Sequence, residues 1–253
     1  MSIITIATDF GTVDGYAAAM KGVIRSITLD PEIIDVTHDL DSIMRSSIVL
    51  ERYYSYYPAG TIHLVVVDPT VGSHREPLMG SDGKYLFVGP DNGIFTRVIS
   101  VAPGSKWWAI DIDRIRQGDI SPTFHGRDIF APAAALLARG ASPDELGAAM
   151  EDPIVLDIPE PVVLDDCLQG EIIDVDRFGN LITNIDMDLA GTNAVITIYD
   201  NQAIRLSRTY ADVPVGTPLA YIGSLGYLEI GVNLGRADEY FAASTGCKVR
   251  ISY

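Results

Sequence analysis

The spacing of apolar and polar positions divides this chain into two textures that meet near residue 160. In the first, short unbroken apolar runs end abruptly at polar residues. Ile3 to Ala7 runs into Thr8-Asp9-Phe10-Gly11, and Ile33 and Ile34 open a run that reaches Asp35 and His38. Ile62 to Val67 stops at Asp68-Pro69, and Tyr85 to Val88 stops at Gly89-Pro90-Asp91. Runs of this length without alternation predict strands covered on both faces. Between them the period becomes helical. Over 16–27, Met20, Val23, Ile24 and Ile27 share one face, and Asp14 is placed to cap that helix. A second helix is expected after Asp41 or Ser42 and before Pro58, and a third over part of 128–139, ended by Gly140. This alternation predicts an α/β domain over residues 1–160, a mostly parallel sheet with flanking helices.

Pro159 and Pro161 bracket the change of texture. Beyond them lie short strand segments at 170–175, 194–199, 203–206, 218–222, 227–232 and 247–252. Turns such as Asp200-Asn201 and Gly223-Ser224 separate them, and no long amphipathic helix intervenes. The pattern predicts a small C-terminal β-barrel domain over 161–253.

Composition narrows the setting. With 47% hydrophobic and 21% charged residues, the chain reads as an ordinary globular protein. A net charge of −16 repels nucleic acid and anionic membranes, so neither is expected as a partner, whereas a cationic small molecule is not repelled. Cys167 and Cys247 form no zinc or disulfide pattern, which fits a reducing cytoplasm. The opening MSIITIATDF lacks the basic start and long apolar stretch of a signal peptide, and no apolar run is long enough to span a bilayer.

Five clusters carry candidate chemistry. In TDFGTVDG, Asp9 follows a buried strand and can accept from both hydroxyls of a diol such as ribose. Asp14 can pair with an ammonium group; each also has a plain reading, as a turn residue and a helix cap. In VVVDPTVGSHRE, Arg75 lies seven residues beyond Asp68 and can fold back on it, either to orient a water or to order a loop. In TFHGRDIFAP, His125 lies off any helical face and is a catalytic candidate, while Arg127 and Asp128 read as structural. In DRFGNLITNI, Phe178 can cover an adenine face, Asn180 offers a paired donor and acceptor, and Asp176 can take an amino group. The alternative is a turn at Gly179-Asn180 with Phe178 in the core. In GSLGYLEIGVN, Ser224 and nearby amides can hold a carboxylate. His38, His63, His74 and His125 show no metal-ligand spacing, and neither a P-loop nor a G-x-S-x-G elbow is present.

The segments TDFGTVDGYAAAMKGVI, DVTHDL, GTIHLVVVDPTVGSHR, FVGPDNGIF, TFHGRDIFAPAAALLARG, DRFGNLITNI and GYLEIGVN occur in one order along the chain, the last ending at residue 233. Together they resemble the S-adenosyl-L-methionine (SAM) hydroxide adenosyltransferases, the water-using relatives of bacterial fluorinases and chlorinases. The resemblance implies hydrolysis of SAM to adenosine and methionine by attack of water on the ribose 5′ carbon. It implies a homotrimer whose sites join one subunit's N-terminal domain to its neighbour's C-terminal domain, and a reaction with no metal and no other cofactor. Asp68, Arg75 and His125 match the set that positions water or hydroxide, Asp9 the ribose ligand and Asp14 a pocket carboxylate. Asp176 and Ser224 match the methionine end, and Phe178 and Asn180 the adenine end. Thr70 departs from the glycine common in the family. The alternatives are a SAM-dependent halogenase and a non-catalytic SAM- or adenosine-binding protein.

Overall fold

The computed structural model describes residues 2–186, 195–199 and 203–252. The chain divides into two compact units, Met1–Leu156 and Asp157–Tyr253. In the first, β1 (Ile3–Thr8), β2 (Glu32–Thr37), β3 (Ile62–Val66), β4 (Pro77–Ser81), β5 (Leu86–Pro90), β6 (Lys106–Ile110) and β7 (Gly147–Met150) form one sheet, ordered β2-β1-β3-β5-β4-β6-β7. The strands β2, β1, β3 and β5 run parallel, and β4, β6 and β7 extend the sheet antiparallel. The α/β architecture is as expected, but half of the sheet is antiparallel. The cause is local: β4 and β5 are joined by a short turn in which Asp82 Oδ1 accepts the N–H groups of Lys84 and Tyr85 at 2.8 and 2.7 Å. A connection that short can only make a hairpin.

The helices of this unit are α1 (Tyr16–Ile27), α2 (Ile43–Tyr53), α3 (Thr96–Val101), α4 (Ile112–Ile115), α5 (Ala131–Ala138) and α6 (Pro143–Leu146). α1 starts from Gly15, at φ 77°, with no side-chain cap, so the cap expected of Asp14 is not formed. At α2, Ser42 Oγ accepts the Arg45 N–H at 3.2 Å, and Asp41 pairs with the Arg45 side chain at 2.8 Å. One face of the sheet packs Ile6 and Leu64 against Met20, Ile24 and Phe130, and the other packs Ala7 and Val65 with Leu50, Phe87 and Phe95. Burial on both faces is why the apolar runs show no alternation. The polar exception within β3 is His63. It is fully buried, its Nδ1 lies 2.8 Å from the Thr5 hydroxyl, and the rings of Tyr53, Tyr57, Tyr85 and Phe87 surround it. Burial pushes its pKa down to about 3.

The second unit holds β8 (Val162–Val163), β9 (Cys167–Val175), β10 (Leu181–Asp186), β11 (Val195–Ile198), β12 (Ile204–Arg205), β13 (Pro218–Ile222), β14 (Tyr227–Val232) and β15 (Lys248–Ser252), with α7 (Ala237–Phe241). They form an antiparallel sheet ordered β12-β11-β15-β9-β10-β14-β13, with β8 laid on β9. Its two ends approach each other through a bridge between Leu206 and Ala220 and a 2.8 Å hydrogen bond from Ser207 N–H to the Ala220 carbonyl. The result is a nearly closed barrel around Leu168, Ile172, Leu181, Ile196, Leu228 and Ile230. Residue 194 and the Asp200-Asn201 turn lie outside the described residues. Among the described residues no helix is long and apolar enough to cross a membrane, and Cys167 and Cys247 are not joined in a disulfide.

Candidate functional site

From β1 the sheet grows towards β2 on one side and towards β3 on the other, so the carboxyl ends of β1 and β3 flank a topological switch point. Asp9 and Asp68 follow these two ends. Past Asp68 the loop makes two turns, Val71 N–H to Asp68 carbonyl at 3.2 Å and Ser73 N–H to Thr70 carbonyl at 3.0 Å. Gly72 sits between them at φ 81°, where a Cβ would come within 2.7 Å of the Pro122 carbonyl oxygen. The loop thus returns Arg75 to Asp68.

Arg75 Nε lies 3.1 and 3.0 Å from Asp68 Oδ1 and Oδ2, and Arg75 Nη2 also donates to Oδ2. The same Nη2 donates to His125 Nδ1 at 2.8 Å, and the guanidinium sits 5.2 Å above the Phe130 ring. The side chains of Arg75 and Asp68 are only 7% and 5% exposed. This is more than a surface ion pair, because one planar cation fixes two groups from separate elements. The Thr70 hydroxyl reaches Asp68 Oδ1 at 3.4 Å, so the departure from glycine adds a donor beside the carboxylate. His125 leads into a five-residue π-helical turn, Gly126–Phe130, that feeds α5. An arginine has no acceptor, so Nδ1 of His125 must be the unprotonated nitrogen and the neutral ring carries its proton on Nε2. Burial lowers the His125 pKa and the Arg75 charge lowers it further, with Asp68 and Asp128 opposing.

Asp9 is solvent-accessible, but the protein crowded around it raises its carboxyl pKa, against its own backbone hydrogen bond, and the nearby Asp68 charge adds to the rise. Asp14 is exposed immediately before Gly15. Arg127 and Asp128 pair at 2.6 Å, and Asp128 accepts the Ser121 N–H at 2.9 Å. Sequence reasoning overlooked the aromatic trio Phe10, Tyr16 and Phe124, with centroids 5.2 to 5.9 Å apart, which belongs to the segments carrying Asp9 and His125. Adjacency of an aromatic to each polar candidate was its only signal.

The second unit has its own cluster. Asp176 Oδ1 accepts the backbone N–H groups of Phe178 and Asn180 at 2.9 and 2.8 Å, which shapes the turn between β9 and β10. Phe178 is 74% exposed rather than part of a core. Asn180 is buried: its Nδ2 donates to Asp176 Oδ2 at 2.8 Å, and its Oδ1 accepts from the Tyr210 hydroxyl at 2.9 Å. A cavity of about 610 Å3 opens here, lined by Phe178, Asn180, Tyr210, Val232 and Leu234 among others. Its size suits a nucleoside-sized ligand. Tyr210 and Leu234 were not picked out from sequence, because only barrel closure brings them beside Asn180. Ser224 is exposed in the turn after β13, closed by Gly226 N–H to the Gly223 carbonyl at 3.0 Å. Among the described residues, no group of three or more His, Cys, Asp and Glu side chains is placed to hold a metal ion.

Comparison with known proteins agrees with this fold. Residues 4–147 match the family model of the SAM hydroxide adenosyltransferase N-terminal domain, and residues 170–250 match that of the C-terminal domain. A Thermus thermophilus protein named (R)-S-adenosyl-L-methionine hydrolase is 36% identical, over 96% of this chain and 97% of its own. A fluorinase from Actinopolyspora mzabensis is 26% identical over 99% of this chain and 97% of its own. The crystal structure of an uncharacterised conserved protein from Thermotoga maritima superposes with a TM-score of 0.92 at 34% identity, covering 99% of this chain and 100% of that one. Both units are matched in order and nearly end to end, and this chain belongs to the SAM hydroxide adenosyltransferase family.

Proposed function

We propose that this chain hydrolyses SAM to adenosine and L-methionine, with water attacking the ribose 5′ carbon. The observation that carries the reading is the clamp in which Arg75 binds both oxygens of Asp68 and Nδ1 of His125. The carboxylate retains lone pairs for a water proton, and His125 Nε2–H is left to donate to the water oxygen. A water so held is aimed by two groups that cannot turn. Its oxygen pair forms the C5′–O bond, the C5′–S pair leaves with sulfur as a neutral thioether, and the released proton passes to Asp68 and on to solvent. The sulfonium needs no acid to depart, so catalysis consists of alignment and exclusion of competing solvent. Neither a metal nor another cofactor takes part.

In this reading Asp9 accepts from the ribose hydroxyls, a role its strand-end position supports, and Asp14 is a pocket carboxylate. Asp176 and Ser224 receive the methionine end, and Phe178 and Asn180 the adenine end, in the cavity beside Tyr210. The protein works in the cytoplasm as a homotrimer, each site completed by the neighbouring subunit's C-terminal domain. The test is product analysis after incubation with SAM in oxygen-18 water, with and without chloride. Adenosine labelled at its 5′ hydroxyl, with methionine, is expected in both. A halogenated adenosine would move the chain to the halogenases, and intact SAM would leave a binding protein.

A further inference from the structure

The segment FVGPDNGIF, residues 87–95, stands outside the clamp of Asp68, Arg75 and His125, yet it meets the clamp's loop at both ends. Gly89 lets β5 end close beside β3, because a Cβ there would stand 2.3 Å from the Val65 carbonyl oxygen. The ladder between the two strands reaches the pair Leu64–Val88. Past it, Asn92 Nδ2 donates to the Val67 carbonyl at 2.9 Å. Val67 is the residue before Asp68. Its carbonyl lies in the same rigid peptide plane as the nitrogen and Cα of Asp68. Holding that oxygen therefore fixes the point from which the Asp68 side chain springs. At the other end, Asp91 N–H donates to the Glu76 carbonyl at 3.0 Å, one residue beyond Arg75. Consecutive residues of one turn thus hold both ends of the loop from Asp68 to Arg75.

The turn is itself anchored. Asn92 Oδ1 accepts the Ile94 N–H at 3.2 Å, which commits the oxygen and leaves the amide N–H2 to face Val67. Gly93, at φ 94°, is packed against the Leu156 side chain, and its carbonyl accepts the Thr96 hydroxyl at 2.6 Å. Ile94 and Phe95 are buried in the core. Asp91 accepts the Ile154 N–H on its carboxylate at 2.8 Å and reaches the loop through its backbone. This anchoring matters because an ion pair forms wherever its two partners meet. The bond between Asp68 and Arg75 does not by itself set where the pair stands relative to His125, which another element carries.

We propose that Asn92 is a positioning residue for the reaction: it holds the peptide plane that carries Asp68 and, with the Asp91 N–H on Glu76, closes the base of the loop. Arg75 then meets Asp68 and His125 in one arrangement, and the water they aim stands at one distance from its target. Misplacement by about 1 Å in such a site costs on the order of a hundredfold in rate. The kinetic side of this inference rests on the SAM reading; the restraint on the loop does not.

The test is Asn92→Asp, which keeps the shape and the acceptor for Ile94 N–H but sets an oxygen against the Val67 oxygen. Steady-state kinetics on SAM should show kcat lower by about 10- to 100-fold, with KM within about twofold of the parent. Asn92→Ala, which removes the donor without adding repulsion, should show the same split at the lower end of that range. Ser42→Ala removes the cap of α2 and controls for lost stability alone; its kcat should match the parent. An Asn92→Asp enzyme with parent kcat, or an equal loss in Ser42→Ala, would sink the positioning role. Amide hydrogen exchange tests the restraint without substrate. The amides of Val71 and Ser73, which close the loop's two turns, should exchange about tenfold faster in Asn92→Asp, with those of β1 unchanged. Parent rates at both loop amides would overturn the proposal. A parent chain inert towards SAM would sink the substrate reading alone, since the exchange rates still decide the restraint.

Discussion

At the scale of single residues, the proposed chemistry turns on Arg75, because it fixes both the carboxylate and the imidazole. Asp68→Asn keeps the volume but presents an N–H2 group to Arg75 and removes an acceptor for the water. We expect kcat to fall by roughly 10² to 10³-fold while KM changes little, since the water is positioned for the transition state rather than for substrate binding. Steady-state kinetics on SAM checks this; a raised KM with kcat intact would take Asp68 out of the chemistry. The pairing of Asp68 and Arg75 was legible in sequence, as an aspartate ending the strongest apolar run with an arginine seven residues on. The proton placement on His125 was not. It follows from which nitrogen the guanidinium touches, and no spacing encodes that.

At the scale of elements, β3 carries a buried histidine whose proton uptake opposes folding. His63 stays neutral in the fold down to about pH 3, whereas in the unfolded chain the ring takes up a proton near pH 6.5. Its contribution is therefore complete above about pH 6.5 and is lost as pH falls below that, by roughly 1.4 kcal/mol per pH unit until the folded value is reached. Replacing it by phenylalanine, which suits the surrounding rings, should flatten that limb. Unfolding free energies of parent and His63→Phe, compared from pH 7 to pH 5, are the measurement; parallel curves would refute the assignment. The same strand shows why some elements were legible. Its apolar run announces burial on both faces, as the period over 16–27 announces α1. β4 gave no such signal, because its sequence Pro77-Leu-Met-Gly-Ser81 holds a glycine whose side-chain space is filled by Trp107 of β6. The bulk that completes that layer is written elsewhere in the chain.

At the scale of the whole molecule, the proposed trimer predicts complementation. Asp68→Asn damages the first unit and Asp176→Ala the second. Mixed and reassembled, the two inactive variants should recover roughly a quarter of parent activity, because that fraction of intersubunit sites receives two intact halves. Sites built within one chain would recover nothing. The division of the chain into an α/β part and a β part was legible because the texture itself changes near Pro159; the convergence of Tyr210, Leu234 and Asn180 was not, because it exists only once the barrel has rolled up. That rolling up also leaves an uneven wall. Most neighbouring strands share ladders of several residues, but among the described residues the seam between β12 and β13 is held by the Leu206–Ala220 bridge and the bond from Ser207. The segment that leaves the seam at Ser207 carries Tyr210 of the cavity wall, whose hydroxyl meets that of Tyr221 on β13. Breathing of the barrel would therefore start beside the cavity, and a molecule gripping that wall would act as its latch.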